Sequence, residues 1–192
     1  MRSFEEIYEG FGPQIIRYLA RLVSESEAED LAQETFLRVH RGLEEFRGDS
    51  RISTWIYRIA TNVARDRLRK ASSMSGGAVT SLEEGMDVED GNVWTDEKAR
   101  NTEGMTIRKE MNDCIRRFID DLPEDYRTVL ILQDLEGFKN QEIADILGIS
   151  LDNVKIRLHR ARTRLREELQ TGCSFHRDEE DELGCDLKQP QD

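Results

Sequence analysis

Apolar residues recur three and four positions apart through residues 4–70 and again through 105–170, and the rhythm fails between and after these stretches. That spacing is helical. In the first stretch it predicts helices near 3–23, 27–45 and 51–70. Ser24-Glu25-Ser26-Glu27 offers a capping box for the second helix. Gly48-Asp49 breaks the chain before the third, with Asp49 or Ser50 placed to cap it. In the third helix Ile52, Ile56, Ile59 and Val63 form one stripe, the expected core face. About 100° around the helix lie Trp55, Arg58, Asn62, Arg65 and Arg69. An exposed Trp beside Asn and Arg is suited to stack on bases and bond to their edges. The same pattern also fits a Trp at the core margin beside a solvated basic edge.

The second stretch predicts a helix over 107–122, then one over 123–135 with Pro123 at its first position. Ile143, Ala144 and Leu147 mark a short amphipathic helix. Gly148 permits a tight turn, and Ser150 caps a longer helix with the apolar stripe Val154, Leu158, Ala161 and Leu165. Short helix, glycine turn and capped helix make a helix-turn-helix pattern. The last helix carries Lys155, His159 and Arg162 on one flank and Arg157, Arg160 and Arg164 on the other. Cations on both sides of an apolar stripe can straddle a groove, some on phosphates and some at base edges.

Charge sharpens this picture. The 192-residue chain has a net charge of −12, which alone argues against a nucleic-acid partner. Its distribution argues the other way. Residues 1–71 are net 0 and 113–170 net −2, whereas 72–112 and 171–192 each carry −5. Residues 155–166 hold six Lys and Arg and no acid, the local footprint of a nucleic-acid contact. Residues 72–104 mix Ser, Gly and acids with few apolar anchors and read as a flexible acidic linker. No apolar run nears the roughly 18 residues of a membrane span, and the N-terminus lacks a signal-peptide pattern. Cys114, Cys173 and Cys185 make no disulfide framework, so a cytoplasmic location is expected. Cys114 reads as a packing residue. No phosphate loop, metal-spaced His pair or nucleophile motif is present, and an enzyme is not expected. A stand-alone repressor would share the helix-turn-helix but needs a ligand pocket or dimer interface rather than a basic Trp-bearing face.

The segment DLAQETFLRVHRGLEEFRGDSRISTWIYRIATNVARDRLRK resembles domain 2 of the extracytoplasmic-function (ECF) sigma factors. LPEDYRTVLILQDLEGFKNQEIADILGISLDNVKIRLHRARTRLR resembles their domain 4. The resemblance covers most of residues 4–170. It implies an all-α fold: a helical domain over 1–71, a linker over 72–104, a helix-turn-helix domain over 105–170 and a tail over 171–192. It implies that Asp30, Gln33, Glu34, Leu37 and His40 grip the polymerase clamp. Phe46 to Arg51, with Arg47 among them, match the loop that captures a base flipped from the −10 element. Asn62, with Trp55, Arg58, Arg65 and Asp66, matches the helix that reads and melts that element. Lys155, Arg157, His159 and Arg160, with Arg162 and Arg164 on the same helix, match the −35 contacts. Implied partners are core RNA polymerase through its clamp and flap, promoter DNA, and an anti-sigma factor. Insertion into a membrane is not expected.

Most of that family stops near residue 170, but here GCSFHRDEEDELGCDLK continues. Cys173, His176 and Cys185 give Cys-x2-His-x8-Cys, three soft ligands that suit Zn or a copper-type ion, with Asp186 or another acid as a fourth. The alternatives are a disordered tail with free thiols or a short helix that docks on a regulator.

Overall fold

The structure is a computed structural model that describes residues 3–74, 115–177 and 183–187. Three helices build the first body: α1 (Phe4–Leu22), α2 (Glu25–Gly42) and α3 (Ile52–Met74). Helix α1 starts in a capping box, with Ser3 Oγ accepting from the Glu6 amide at 3.2 Å and Glu6 Oε2 accepting from the Ser3 amide at 2.9 Å. The box expected at Ser24 does not form. Ser24 is the cap residue, but its hydroxyl donates to the Glu27 carboxylate at 3.0 Å rather than accepting from an amide. Glu27 is in turn paired with Arg67 of α3.

Each helix buries one stripe. Ile7, Ile15, Tyr18, Leu19 and Leu22 come from α1, and Ala28, Leu31, Ala32, Phe36 and Val39 from α2. From α3 come Ile56, Tyr57, Ala60, Val63 and Ala64, with Ile52 and Ile59 at the margin of the same core. The predicted stripe is therefore present and wider than the four apolar residues alone. One polar network crosses this core. Tyr18 OH lies 2.7 Å from Thr61 Oγ1, and Thr61 Oγ1 lies 2.6 Å from the Tyr57 carbonyl oxygen. These hydrogen bonds offset the cost of taking the two hydroxyls out of water.

In the second body residues 115–120 are helical (α4), followed by α5 (Glu124–Leu130), which widens into a π-helical turn over Ile131–Leu135. The sequence reads 123–135 as one α-helix; in the structure its last turn is wide, with the Glu136 amide bonding to Ile131 O at 3.0 Å. Then come α6 (Asn140–Leu147) and α7 (Leu151–Gly172). Gly148 between them has φ +66°, and its amide closes on Ala144 O at 2.8 Å. Ser150 Oγ accepts from the Asn153 amide at 3.2 Å, as the sequence predicts. No atom lies within 4 Å of a Cβ built on Gly148, so Gly148→Ala meets only the left-handed backbone. It is expected to cost about 1–2 kcal/mol, read as a lower urea midpoint with unchanged slope. An unchanged midpoint would show the turn to be unstrained.

The tail forms a short ribbon rather than a helix. Strands β1 (Cys173–Arg177) and β2 (Leu183–Leu187) form an antiparallel ribbon in which Phe175 pairs with Cys185, His176 with Gly184 and Cys173 with Leu187. The expected ligand set of Cys173, His176 and Cys185 rests on side chains at 176 and 185 that lie outside the described residues, and Cys173 is buried. At the base of the ribbon, a Cβ on Gly172 would stand 2.6 Å from Phe118 Cζ, so α7 ends in close contact with α4. Cys114 and residues 75–104 lie outside the described residues.

The two bodies share a seam. Helix α6 packs on α3, and the end of α1 approaches α5. Phe138 sets its ring on Tyr57, centroids 4.7 Å apart, and Tyr57 lies 4.9 Å from Tyr18.

Candidate nucleic-acid interface

Three surfaces carry the residues singled out in the sequence. The first is the outer side of α2. Its inner stripe is buried, which turns Asp30, Gln33, Glu34, Leu37 and His40 outward, and all five are exposed. Leu37 is an apolar side chain 58% exposed. Arg38 braces the row through Glu34 at 2.6 Å. Two α1 residues that sequence reasoning passed over extend the patch. Phe4 sets its ring edge-on to His40 at 4.9 Å, and Tyr8, 49% exposed, meets Phe36 at 4.9 Å. The result is an acidic row around an apolar centre.

The second surface is the 46–51 loop with α3. Phe46 and Trp55 stack with centroids 5.0 Å apart. The Trp55 ring lies on the last turn of α2, where a Cβ on Gly42 would stand 3.0 Å from its Cζ2. Trp55 is therefore a half-buried wall at the core margin and not a free platform. Arg47, Gly48 and Asp49 are exposed, and so is Asn62. Asp66 pairs with Arg69 at 2.5 Å. Arg58 and Arg65 share this side of α3 but turn to the second body. Arg58 donates through Nε at 2.7 Å, and also through Nη2, to the backbone carbonyl of Asp145. Arg65 lies 3.3 Å from Asp125 and 3.8 Å from Glu124. Burial at this seam pushes the Glu124 carboxyl above its ordinary range, and Arg65 opposes that shift.

The third surface is α7. The six residues predicted to line its flanks separate into two groups. Lys155, His159 and Arg164 are exposed, and Arg160 is half-buried beside them. His159, Arg160, Thr163 and Arg164 line one shallow depression with Glu167 and Glu168. Arg157, in contrast, turns inward to Asp125 at 3.1 Å, and Arg162 bonds Asp134 at 2.6 Å and Gln133 Oε1 at 2.6 Å. These two fasten α7 to α5 and the π-helical turn. Sequence reasoning also missed Glu136, Asp125 and Tyr57, because their partners are distant in the chain and carry no local motif.

The tail contributes Cys173, buried at the start of β1. Among the described residues, no group of three His, Cys, Asp or Glu side chains converges as a metal site. No described helix is long and apolar enough to cross a membrane.

Comparison with known proteins bears on these surfaces. A family model described as Sigma-70 region 2 matches residues 7–74, and one described as Sigma-70, region 4 matches 112–165. The chain is 32% identical over 170 residues to the RNA polymerase sigma-H factor of Pseudomonas aeruginosa, covering 88% of this chain and 87% of that one. It is 29% identical over 169 residues to the ECF RNA polymerase sigma-E factor of Escherichia coli K12, with the same coverage of 88% and 87%. Among solved structures, the sigma factor RpoE in complex with the anti-sigma factor NepR from Bartonella quintana superposes with a TM-score of 0.63 at 22% identity. That match covers 87% of this chain and 96% of RpoE. CnrH in complex with the cytosolic domain of CnrY gives a TM-score of 0.60 at 22% identity, covering 88% of each chain. At that identity the likeness is one of fold.

Proposed function

Since the chain belongs to the ECF sigma factors, non-enzymatic subunits that bind core RNA polymerase and direct it to promoters, we propose that its three surfaces divide that work residue by residue. The outer row of α2, Asp30, Gln33, Glu34, Leu37 and His40, takes the polymerase clamp. An acidic row around an apolar centre suits a basic groove with an apolar floor. The 46–51 loop and α3 take the −10 element. Phe46 and the Trp55 wall border the space for a flipped base, and Arg47, Arg58, Asn62, Arg65 and Asp66 supply polar contacts. Unstacking a base costs a few kcal/mol, which such contacts offset.

Helix α7 takes the −35 element through its outward residues Lys155, His159, Arg160 and Arg164. Arg157 and Arg162 act by fixing the angle of α7 through Asp125 and Asp134 rather than by touching bases. The observation that carries this reading is the capped, glycine-turned α6–α7 pair, which holds a cationic outer flank on a buried apolar stripe. An anti-sigma factor of the kind bound to RpoE fits the exposed α2 row, and a cytoplasmic location follows from work on the polymerase. The pairing of the tail as a two-stranded ribbon, with Cys173 buried at its start, favours a structural tail over a Zn or copper-type site at Cys173, His176 and Cys185.

The test is run-off transcription with holoenzyme reconstituted from core polymerase and this chain. Promoter-dependent starts sharing paired −35 and −10 motifs are expected. Arg160→Ala should weaken duplex binding about 5–100-fold and reduce the salt slope by about 1. Asn62→Ala should leave duplex binding within about 2-fold yet impair strand opening, read by permanganate reactivity. Identical behaviour of the two variants would refute the division of labour.

A further inference from the structure

In the first three turns of α7 the cations do not occupy the centre of the outer face. Helical positions turn by about 100° per residue, so the buried Val154, Leu158 and Ala161 fix the inward direction. Asp152 and Ile156 then fall within about 30° of the opposite line. Lys155 and His159 lie to one side of that line, and Arg160 lies to the other. The middle of the face thus carries an acid and an apolar side chain, one turn apart, with positive charge on both flanks. Asp152 is exposed, and among the described residues it pairs with no cation. Ile156 is half-buried and belongs to neither core cluster. The helix that presents them is held in angle, because Arg157 and Arg162 anchor its sides to Asp125 and Asp134.

That order suits a DNA groove. Cations on either flank reach the two phosphate rows, and the residues between them face base edges. In a helix-turn-helix the N-terminal turns of the second helix are those that meet the bases. A carboxylate there is repelled by the phosphates, by O6 and N7 of guanine and by O4 of thymine. Only an amino donor satisfies it. Cytosine offers N4 with no acceptor beside it, whereas adenine sets N7 next to N6. Asp152 is therefore complementary to cytosine. Ile156 has no polar atom to offer, and the apolar group of the major groove is the C5-methyl of thymine. The two side chains stand roughly 6 Å apart along the helix axis. At about 3.4 Å per base step, the two bases lie one or two steps apart.

We propose that Asp152 and Ile156 set the base preference of the −35 element, Asp152 by accepting from the N4 amino group of a cytosine and Ile156 by covering the methyl group of a thymine one or two steps away. Lys155 and Arg160 hold the backbone beside them. The proposal rests on the assignment of α7 to the −35 element and names the bases that this helix reads. An acid in the first turn also complements the helix dipole. Loss of that role would weaken binding to all duplexes alike, whereas loss of a base contact depends on the base at one position.

The experiment uses holoenzyme of core polymerase and the full chain, on promoter duplexes in which each −35 position is varied in turn. Fluorescence anisotropy gives affinity, run-off transcription gives starts, and circular dichroism checks helicity. The wild-type chain should prefer cytosine over guanine at one position by about 5–100-fold. It should lose about 4-fold when one nearby thymine becomes deoxyuridine, which lacks the methyl group. Asp152→Asn, whose amide can take adenine N6 and N7 together, should move the first preference from cytosine to adenine and leave the second. Ile156→Ala should leave the first and erase the difference between thymine and deoxyuridine. The deoxyuridine arm needs no variant, so it stands where a variant fails to fold. A wild-type chain that selects other −35 bases but is indifferent to cytosine and to the thymine methyl would overturn the proposal. So would folded variants that keep both preferences or lose affinity equally on every duplex. A holoenzyme that starts at no promoter, or starts with no −35 preference at all, would instead refute the functional reading.

Discussion

Leu37→Asp is expected to weaken binding to core RNA polymerase about 100-fold while leaving the fold intact, the former because a desolvated apolar anchor is worth roughly 2–4 kcal/mol. Leu37 is 58% exposed, and none of the buried stripe of α2 depends on it. Its substitution should therefore change unfolding stability by no more than about 0.5 kcal/mol. At an interface the consequences reverse. The aspartate removes the apolar centre of the row and leaves a carboxylate to be buried among Asp30 and Glu34, where like charges also repel. Asp30→Ala, at the rim of the same row, should cost less than about 10-fold and mainly alter the salt dependence of association. The measurement is a titration of labelled chain with core polymerase, beside thermal unfolding of the same samples. Wild-type affinity in Leu37→Asp would remove α2 from the proposed clamp surface.

The helices were legible because burial here follows the 3.6-residue period closely. Ile56 and Val63 of α3, and Val154, Leu158 and Ala161 of α7, are buried where the sequence puts them. Gly148 and Ser150 behave as their chemistry requires, because turn and cap are settled within four residues. Features decided by distant partners were not legible. Ser24 and Glu27 have the spacing of a capping box, but Arg67 engages the glutamate and the serine hydroxyl turns to donate to it. The basic run of α7 reads as one uniform stripe. A helix nonetheless points successive residues in every direction, and Arg157 and Arg162 fall on the flank that meets Asp125 and Asp134. Trp55 likewise shares a face with Asn62 by angle alone, yet Gly42 leaves room for its ring on α2 and draws it into the core margin.

The tail carries a second signal in the sequence, beside its Cys and His residues. Cys173, Phe175, Leu183, Cys185 and Leu187 place apolar residues at every second position on either side of the acidic run 178–182. That alternation is the strand period, and the structure pairs the two segments as an antiparallel ribbon. The seam between the bodies was invisible for another reason. Arg21 and Glu136 stand 115 residues apart, and Tyr57 and Glu136 stand 79 apart. Neither pair leaves a trace in local pattern. The net-charge argument placed most excess acid outside the two helical bodies, but it could not say that the near-neutral bodies would use their charges on each other.

Ile143→Ala is expected to destabilise the second body by about 3 kcal/mol, within the usual range for removing a buried isoleucine to alanine. Ile143 is 0% exposed and belongs to the same core cluster as Val154 and Leu158 of α7. It lies on α6, the helix that supports α7 and also packs against α3. The loss has two parts, the transfer free energy of the deleted carbons and the cavity they leave, and the second grows when neighbours cannot collapse inward. Collapse is hindered here because the Gly148 turn and the Ser150 cap fix where α7 begins. In a chain of this size about 3 kcal/mol should lower the thermal midpoint by roughly 6–12 °C. Ile143→Val, which keeps the branched packing, should cost only about 0.5–1.5 kcal/mol. Asp145→Ala, exposed on the same helix, should cost less than about 0.5 kcal/mol, since Arg58 bonds its backbone oxygen and not its carboxylate. Urea and thermal unfolding of the three variants give the ranking directly. A loss below about 1 kcal/mol in Ile143→Ala would mean that α6 does not anchor the cationic helix, and the placement of Lys155, His159, Arg160 and Arg164 on promoter DNA would lose its scaffold.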